Sequence, residues 1–168
     1  MRIYRITTRH SQLVDVSTPH ISADTSGIGS SVIILLAQMY SEIIQGTWNG
    51  STDYAYNFNE YFTNHTSEAN GDGLRFKCYM RKGTYKLYLY TRVGPNDGIV
   101  DIKINGSTIT TIDLYADAND YDAVKTAENI SITTDGIKTI DLVINGKNAS
   151  SNGYNIFFSA LCFILTGE

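Results

Sequence analysis

An all-β fold, an antiparallel β-sandwich of jelly-roll type with little helix, is the class the sequence predicts. Three observations carry it. Short segments of alternating apolar and polar residues follow one another down the chain, separated by turn signals at a steady rhythm. The composition, 12 tyrosines and 14 glycines against 2 prolines with many Asn, Ser and Thr, suits strands joined by polar turns. The frame Asp-x-x-Ile-Asn-Gly also occurs twice, from Asp101 and from Asp141. Asn and Gly tolerate positive φ better than other residues, so each copy reads as a strand running into a tight turn. In the first, Val100, Ile102 and Ile104 oppose Asp101 and Lys103; in the second, Ile140, Leu142 and Ile144 oppose Thr139 and Asp141. The repeat is one of sheet edges, not of chemistry.

The length suits one domain with a single core. Residues 1–30 read as an N-terminal attachment segment or strand, with strand character at "SQLVDVS" and a Gly/Ser-rich hinge at "SADTSGIGSS". Residues 31–168 form the sandwich domain. From Val32 to Ile44 the apolar spacing fits a helix while the β-branched content fits a strand, and both remain open. The stretch from Gly46 to Gly73 has mainly aromatic apolar side chains, as in strands with long decorated loops. "LRFKCYM" and "TYKLYLYTRV", joined at Arg81-Lys82-Gly83, read as a hairpin with Met80 opposite Tyr85 and Cys78 opposite Leu87. That register buries Phe76, Cys78, Met80, Leu87 and Leu89. It sets Lys77, Tyr79, Lys86 and Tyr88 outside, with Tyr79 opposite Lys86, Lys77 opposite Tyr88 and Arg75 opposite Tyr90. Then come the strand ending at the first Asn-Gly, a return strand "TITTIDLY", an acidic loop "ADANDYDAVKTAEN", the strands "ISITT" and "IKTIDLVI", and a last strand "YNIFFSALCFIL".

Lys+Arg number 13 against 17 Asp+Glu, a net charge of -4, which gives no electrostatic footprint for nucleic acid. No stretch reaches the length of a membrane span; the longest apolar run is "VIILLAQMY". The N-terminus lacks the continuous apolar core of a secretory signal. Cys78 and Cys162 sit in apolar alternating stretches and read as buried thiols, with one disulfide as the alternative. Asn-x-Ser/Thr sequons at Asn49, Asn64, Asn105, Asn129 and Asn148 are what a chain rich in these residues produces by chance.

Catalysis is not expected. His10, His20 and His65 lie in separate segments without metal-ligand spacing, and neither G-x-S-x-G nor H-E-x-x-H occurs. No cofactor is expected either. The loop Asp117, Asn119, Asp120, Asp122 offers the hard oxygen ligands that Ca²⁺ takes, without the Gly and distal Glu of an EF-hand; a solvated acidic loop is the commoner outcome. The Tyr/cation face has three readings: a solvated sheet face, an interface with identical subunits, or a sugar platform. In the last, Tyr79, Tyr88 and Tyr90 stack on pyranose rings while Arg75 and Arg92 bond their hydroxyls.

Four stretches, "GTYKLYLY" from Gly83, "GIVDIKINGSTITTIDLY" from Gly98, "GIKTIDLVINGKNASSNGY" from Gly136 and the terminal "NIFFSALCFILTG", appear in an order that resembles the jelly-roll modules found as carbohydrate-binding modules. It also resembles the modules of closely similar form found in virus and phage tail fibres, spikes and other appendages. The resemblance runs from Tyr40 to Thr166. It implies a non-enzymatic virion structural or appendage protein of fibre, spike or receptor-binding type, located in the virion. Such a protein forms homo-oligomers, a trimer being favoured, and contacts a cell-surface glycan. The alternatives are a stand-alone, extracellular carbohydrate-binding module and a jelly-roll capsid subunit. The resemblance further implies a sugar contact at Asn155, because Tyr154-Asn155-Ile156 matches the start of the last strand in such modules, although Phe157 stands where they carry Asp. Trp48, the single tryptophan, is placed in a loop as a second stacking candidate.

Overall fold

A computed structural model describes residues 32–52 and 60–168; the N-terminal segment, with His10 and His20, lies outside the described residues. The strands are β1 (Val32–Leu36), β2 (Glu42–Gln45), β3 (Asn49–Thr52), β4 (Glu60–Thr63), β5 (Gly73–Met80), β6 (Gly83–Val93), β7 (Ile99–Ile104), β8 (Ser107–Asp113), β9 (Asp120–Ile132), β10 (Gly136–Ile144) and β11 (Phe157–Gly167). Among the described residues the one helical element is the 3-10 turn Ala37–Met39, and no helix is long and apolar enough to cross a membrane. The ambiguous segment is therefore mostly strand. Its β-branched residues Val32, Ile33 and Ile34 lie in β1, and Ile33 and Leu35 alternate into the core.

All strand pairings are antiparallel and fall into two sheets. The first runs β3-β4-β11-β6-β9, with β1 also paired to β11; the second runs β2-β5-β10-β7-β8. Between them lies a core that includes Leu74, Phe76, Met80, Tyr85, Leu87, Leu89, Ile102, Ile140, Phe158 and Phe163. Two stacked antiparallel sheets around a shared apolar core make the expected β-sandwich.

The hairpin between Met80 and Gly83 does not form. β5 pairs with β10, placing Cys78 opposite Lys138, whereas β6 pairs with β11 and β9, placing Leu87 between Phe163 and Ala127. The connection crosses from one sheet to the other. Gly83, at φ 148, makes the crossing, and the Tyr85 hydroxyl braces it by donating to the Arg81 carbonyl at 3.0 Å and accepting from the Arg81 N–H at 3.1 Å. The burial pattern nevertheless stands. Phe76, Cys78, Met80, Leu87 and Leu89 are buried, while Lys77, Tyr79, Lys86 and Tyr88 are not. Strand alternation decides which side chains enter the core, and a strand of either sheet satisfies it equally well.

The Asp-x-x-Ile-Asn-Gly copies lie side by side. β7 and β10 are neighbours, with Ile102 opposite Leu142 and Ile104 opposite Ile140, and both are interior strands rather than edges. Asn105 and Gly106, at φ 50 and 82, close the β7–β8 hairpin. The second copy makes no hairpin: Gly146, at φ 96, sends the chain into a long loop toward β11. The acidic "loop" is also mostly strand, because β9 takes up Asp120 onward along the edge of β6. Cys78 and Cys162 are free and buried, on opposite sheets. Burial pushes the Cys78 thiol up to about 12.

Candidate functional site

The two outer faces of the sandwich differ in chemistry. On the β5/β10 sheet, charge is cross-linked: the Arg75 guanidinium donates to both Asp141 oxygens, at 2.7 and 2.9 Å, and reaches Glu42 at 3.2 Å. Asp101 accepts from Thr111 at 2.6 Å, Asn145 at 3.0 Å and Thr108 at 3.3 Å. This is a solvated face on which Arg75, Asp141 and Asp101 are paired with polar neighbours, and it also carries one strongly exposed aliphatic side chain, Ile137 beside Tyr79.

The outer face of the β11/β6 sheet is largely apolar. Register places its side chains in rows across β1, β11, β6 and β9. Ile34, Cys162, Tyr88 and Thr126 form one row, and Leu36, Ala160, Tyr90 and Val124 form the next. Ile34 is 43% exposed and Val124 42%, large values for aliphatic side chains on one sheet face. Ala160 and Cys162 are small and buried, so the central strand is low between the half-buried tyrosines on one side and Ile34 and Leu36 on the other.

Each end of this surface carries an ion pair. At one end Lys86 meets Glu128 at 2.8 Å and lies 5.1 Å from the Tyr88 ring centroid. The hydrogen bond with Glu128 holds the Lys86 ammonium above its ordinary range and the Glu128 carboxyl below its own. At the other end Arg92 is buried. Its Nε donates to Asp97 Oδ2 at 3.1 Å, its second nitrogen bonds Asp97 Oδ1, and the guanidinium lies 3.6 Å over the Phe157 ring. Asp97 is fully buried, and that burial pushes its carboxyl up against the opposing pull of Arg92. Tyr61 and His65 flank the same ring, with centroids at 5.7 and 6.0 Å. Beside Tyr61, residues Gly50, Ser51, Thr52 and Glu60 line a shallow open depression.

The sequence-predicted residues are thus divided. Tyr88, Tyr90 and Arg92 share one strand and one face. Tyr79 lies on the opposite sheet beside Ile137, so the Tyr79–Lys86 and Lys77–Tyr88 oppositions do not exist. Trp48 is a core residue, 8% exposed, edge-on to Phe158 at 6.2 Å and donating through Nε1 to the Gln45 carbonyl. Asn155 is buried at the β10–β11 loop, its Oδ1 without a hydrogen-bond partner among the described residues. In the calcium alternative, Asp117 accepts from Tyr115, Asn119 donates to Tyr121 and Asp120 accepts from the Asp122 N–H, each bonded to a residue two positions away across the β8–β9 connection and the start of β9. No cluster of three or more acidic, His or Cys side chains fit for a metal occurs among the described residues. Sequence reasoning missed Ile34, Leu36, Val124, Ala160 and Cys162. The signal was present as outward positions of apolar strands, but it needs the register to be seen.

Neither a protein-family model nor a curated protein matches the chain. Solved structures do. A family 36 carbohydrate-binding module, solved in complex with calcium and xylotriose, is 19% identical over 78% of this chain and 98% of its own, with a TM-score of 0.56. The chain has the fold of a carbohydrate-binding module. A family 35 module from Clostridium thermocellum matches in the same way, at 15% identity over 80% of this chain and 98% of its own, with a TM-score of 0.56. A Paenibacillus xanthan lyase reaches a TM-score of 0.65 at 22% identity over 79% of this chain, which spans only 13% of that enzyme. The carbohydrate-binding half of the sequence resemblance is the half these structures support; the viral half gains nothing from them.

Proposed function

We propose that the protein is a non-catalytic glycan-binding module whose ligand lies along the outer face of the β11/β6 sheet. One observation carries the reading: Tyr88 and Tyr90 project from the same face of one strand beside the low, apolar central strand β11. Strand geometry sets them about 7 Å apart along the chain, a spacing that offers consecutive apolar ring surfaces to a saccharide chain. The fold, shared with modules that bind sugars, supports the same reading. The burial of Trp48 and Asn155 speaks for the sheet face over the loops.

A glycan array on the purified protein tests it. Retention of at least one oligosaccharide is expected. Tyr88→Ala and Tyr90→Ala are each expected to weaken it by about 1 kcal/mol, roughly fivefold, through lost ring contact. Trp48→Ala is expected to lower the melting temperature instead, since it removes a core ring. Binding that survives both tyrosine changes overturns the placement. An intact protein that retains no sugar overturns the function and leaves the face as a surface for protein contact.

A further inference from the structure

We infer that the saccharide chain recognised by this face is uncharged, and that the two ion pairs at its ends exclude acidic polysaccharides. This rests on the glycan-binding reading and narrows its ligand class. Recognition of a uronate or sulfate needs a cation with free donor capacity, usually arginine or lysine, aimed at the bound sugar. Among the described residues, the β11/β6 face presents two such cations, and each is paired with a carboxylate.

Arg92 spends its fork on Asp97. Both carboxylate oxygens are engaged, and the guanidinium plane is laid against Phe157. Its side chain is 10% exposed and that of Asp97 is completely buried, so freeing it for a ligand would strand a buried carboxylate. Lys86 is held by Glu128 at 2.8 Å. This second pair is exposed at the Glu128 end, with 62% of that side chain accessible, so Glu128 sets a carboxylate at the rim of the face. Between the pairs lie Ile34, Leu36, Ala160, Cys162, Tyr88, Tyr90, Val124 and Thr126, none of them charged. An acidic sugar laid along β11 would meet an apolar floor, no unpaired cation among the described residues of this face, and a carboxylate at one end. A neutral chain asks only for ring stacking and for hydroxyl partners at the edges, which the tyrosines and Thr126 supply. The net charge of -4 acts in the same direction at longer range.

Affinity electrophoresis in gels containing a neutral polysaccharide (unsubstituted xylan or glucomannan) or an anionic one (polygalacturonate), run at low salt, separates the outcomes. The wild-type protein is expected to be retarded by a neutral chain and not by polygalacturonate. Glu128→Gln releases Lys86 and removes the rim carboxylate, and it is expected to raise the ratio of anionic to neutral affinity by about threefold or more, an increase lost in high salt. Retardation by polygalacturonate equal to or stronger than by any neutral chain overturns the inference while glycan binding itself stands. A ratio unmoved by Glu128→Gln, in a variant that melts like wild type, overturns the role assigned to the ion pairs. Failure to bind either class removes the glycan reading and the inference with it.

Discussion

Asp97→Ala is expected to destabilise the protein by about 3–5 kcal/mol, read as a shift of the urea midpoint at neutral pH. The magnitude follows from what the change leaves behind. Arg92 would keep its position over Phe157, a buried cation with both carboxylate oxygens of Asp97 gone and little access to water. Asp97 also anchors a junction: its N–H donates to the Gly94 carbonyl at 3.2 Å, its carbonyl accepts from Ser151 at 2.8 Å, and it bridges to Asn155. Those backbone contacts survive the substitution, so the loss isolates the side-chain pair. The double change Arg92→Met/Asp97→Ala should recover a large part of the loss, because no unpaired charge remains and the methionine still covers Phe157. If the double variant is as unstable as the single, the pair is not the cause. Lys86→Ala, at the exposed end of the same face, is expected to leave the midpoint near that of wild type, since an exposed pair contributes little.

Phe158→Ala is expected to cost a similar amount, about 3–5 kcal/mol, through the cavity it opens. Phe158 is fully buried between the sheets, in edge-on contact with both Trp48, at 6.2 Å, and Phe76, at 6.3 Å. Phe76 belongs to β5 and Phe158 to β11, so this aromatic contact joins the sheets directly. The flanking rings are large and held in place, and collapse into the void is correspondingly limited. Phe158→Leu keeps much of the volume and should cost less than about 1.5 kcal/mol. Equal losses for alanine and leucine would show that ring packing, rather than filled volume, governs the site. A Trp48 emission shift to the red in Phe158→Ala, with the fold retained, would report the opened cavity in the same experiment.

Sandwich class and core parity were legible in the sequence because both follow from period-2 alternation. Phe76, Cys78, Met80, Leu87 and Leu89 could be placed inside before any partner was known. Partner choice was not legible. The three-residue link at Arg81-Lys82-Gly83 fits a hairpin and a sheet-to-sheet crossing equally well, and only the competition among all strands for neighbours decides between them. The error spread to the site: with β5 and β6 in different sheets, Tyr79 left the platform, while Tyr88, Tyr90 and Arg92 stayed because they share a strand. Trp48 was misplaced for another reason. A short polar loop surrounds it in sequence, yet the indole turns inward onto Phe158, a contact of large sequence separation that no local pattern encodes. Asn64 is a third case. It reads as a sequon, but it is fully buried, donating to Asp72 at 2.9 Å and to the Tyr154 carbonyl at 3.0 Å and accepting from the Ile156 N–H at 2.9 Å. It ties the end of β4 to the start of β11, and its polar neighbours gave no hint of burial.

Backbone amide chemical-shift mapping during titration with a neutral oligosaccharide retained on the array tests most directly that the β11/β6 face is the binding surface. The account predicts perturbations concentrated in residues 34–36, 86–92, 124–128 and 160–164, with the Trp48 indole N–H unmoved. Perturbations concentrated instead at residues 64–72, 94–98 and 145–156, with the Trp48 indole shifting, would place the ligand in the loops and contradict it.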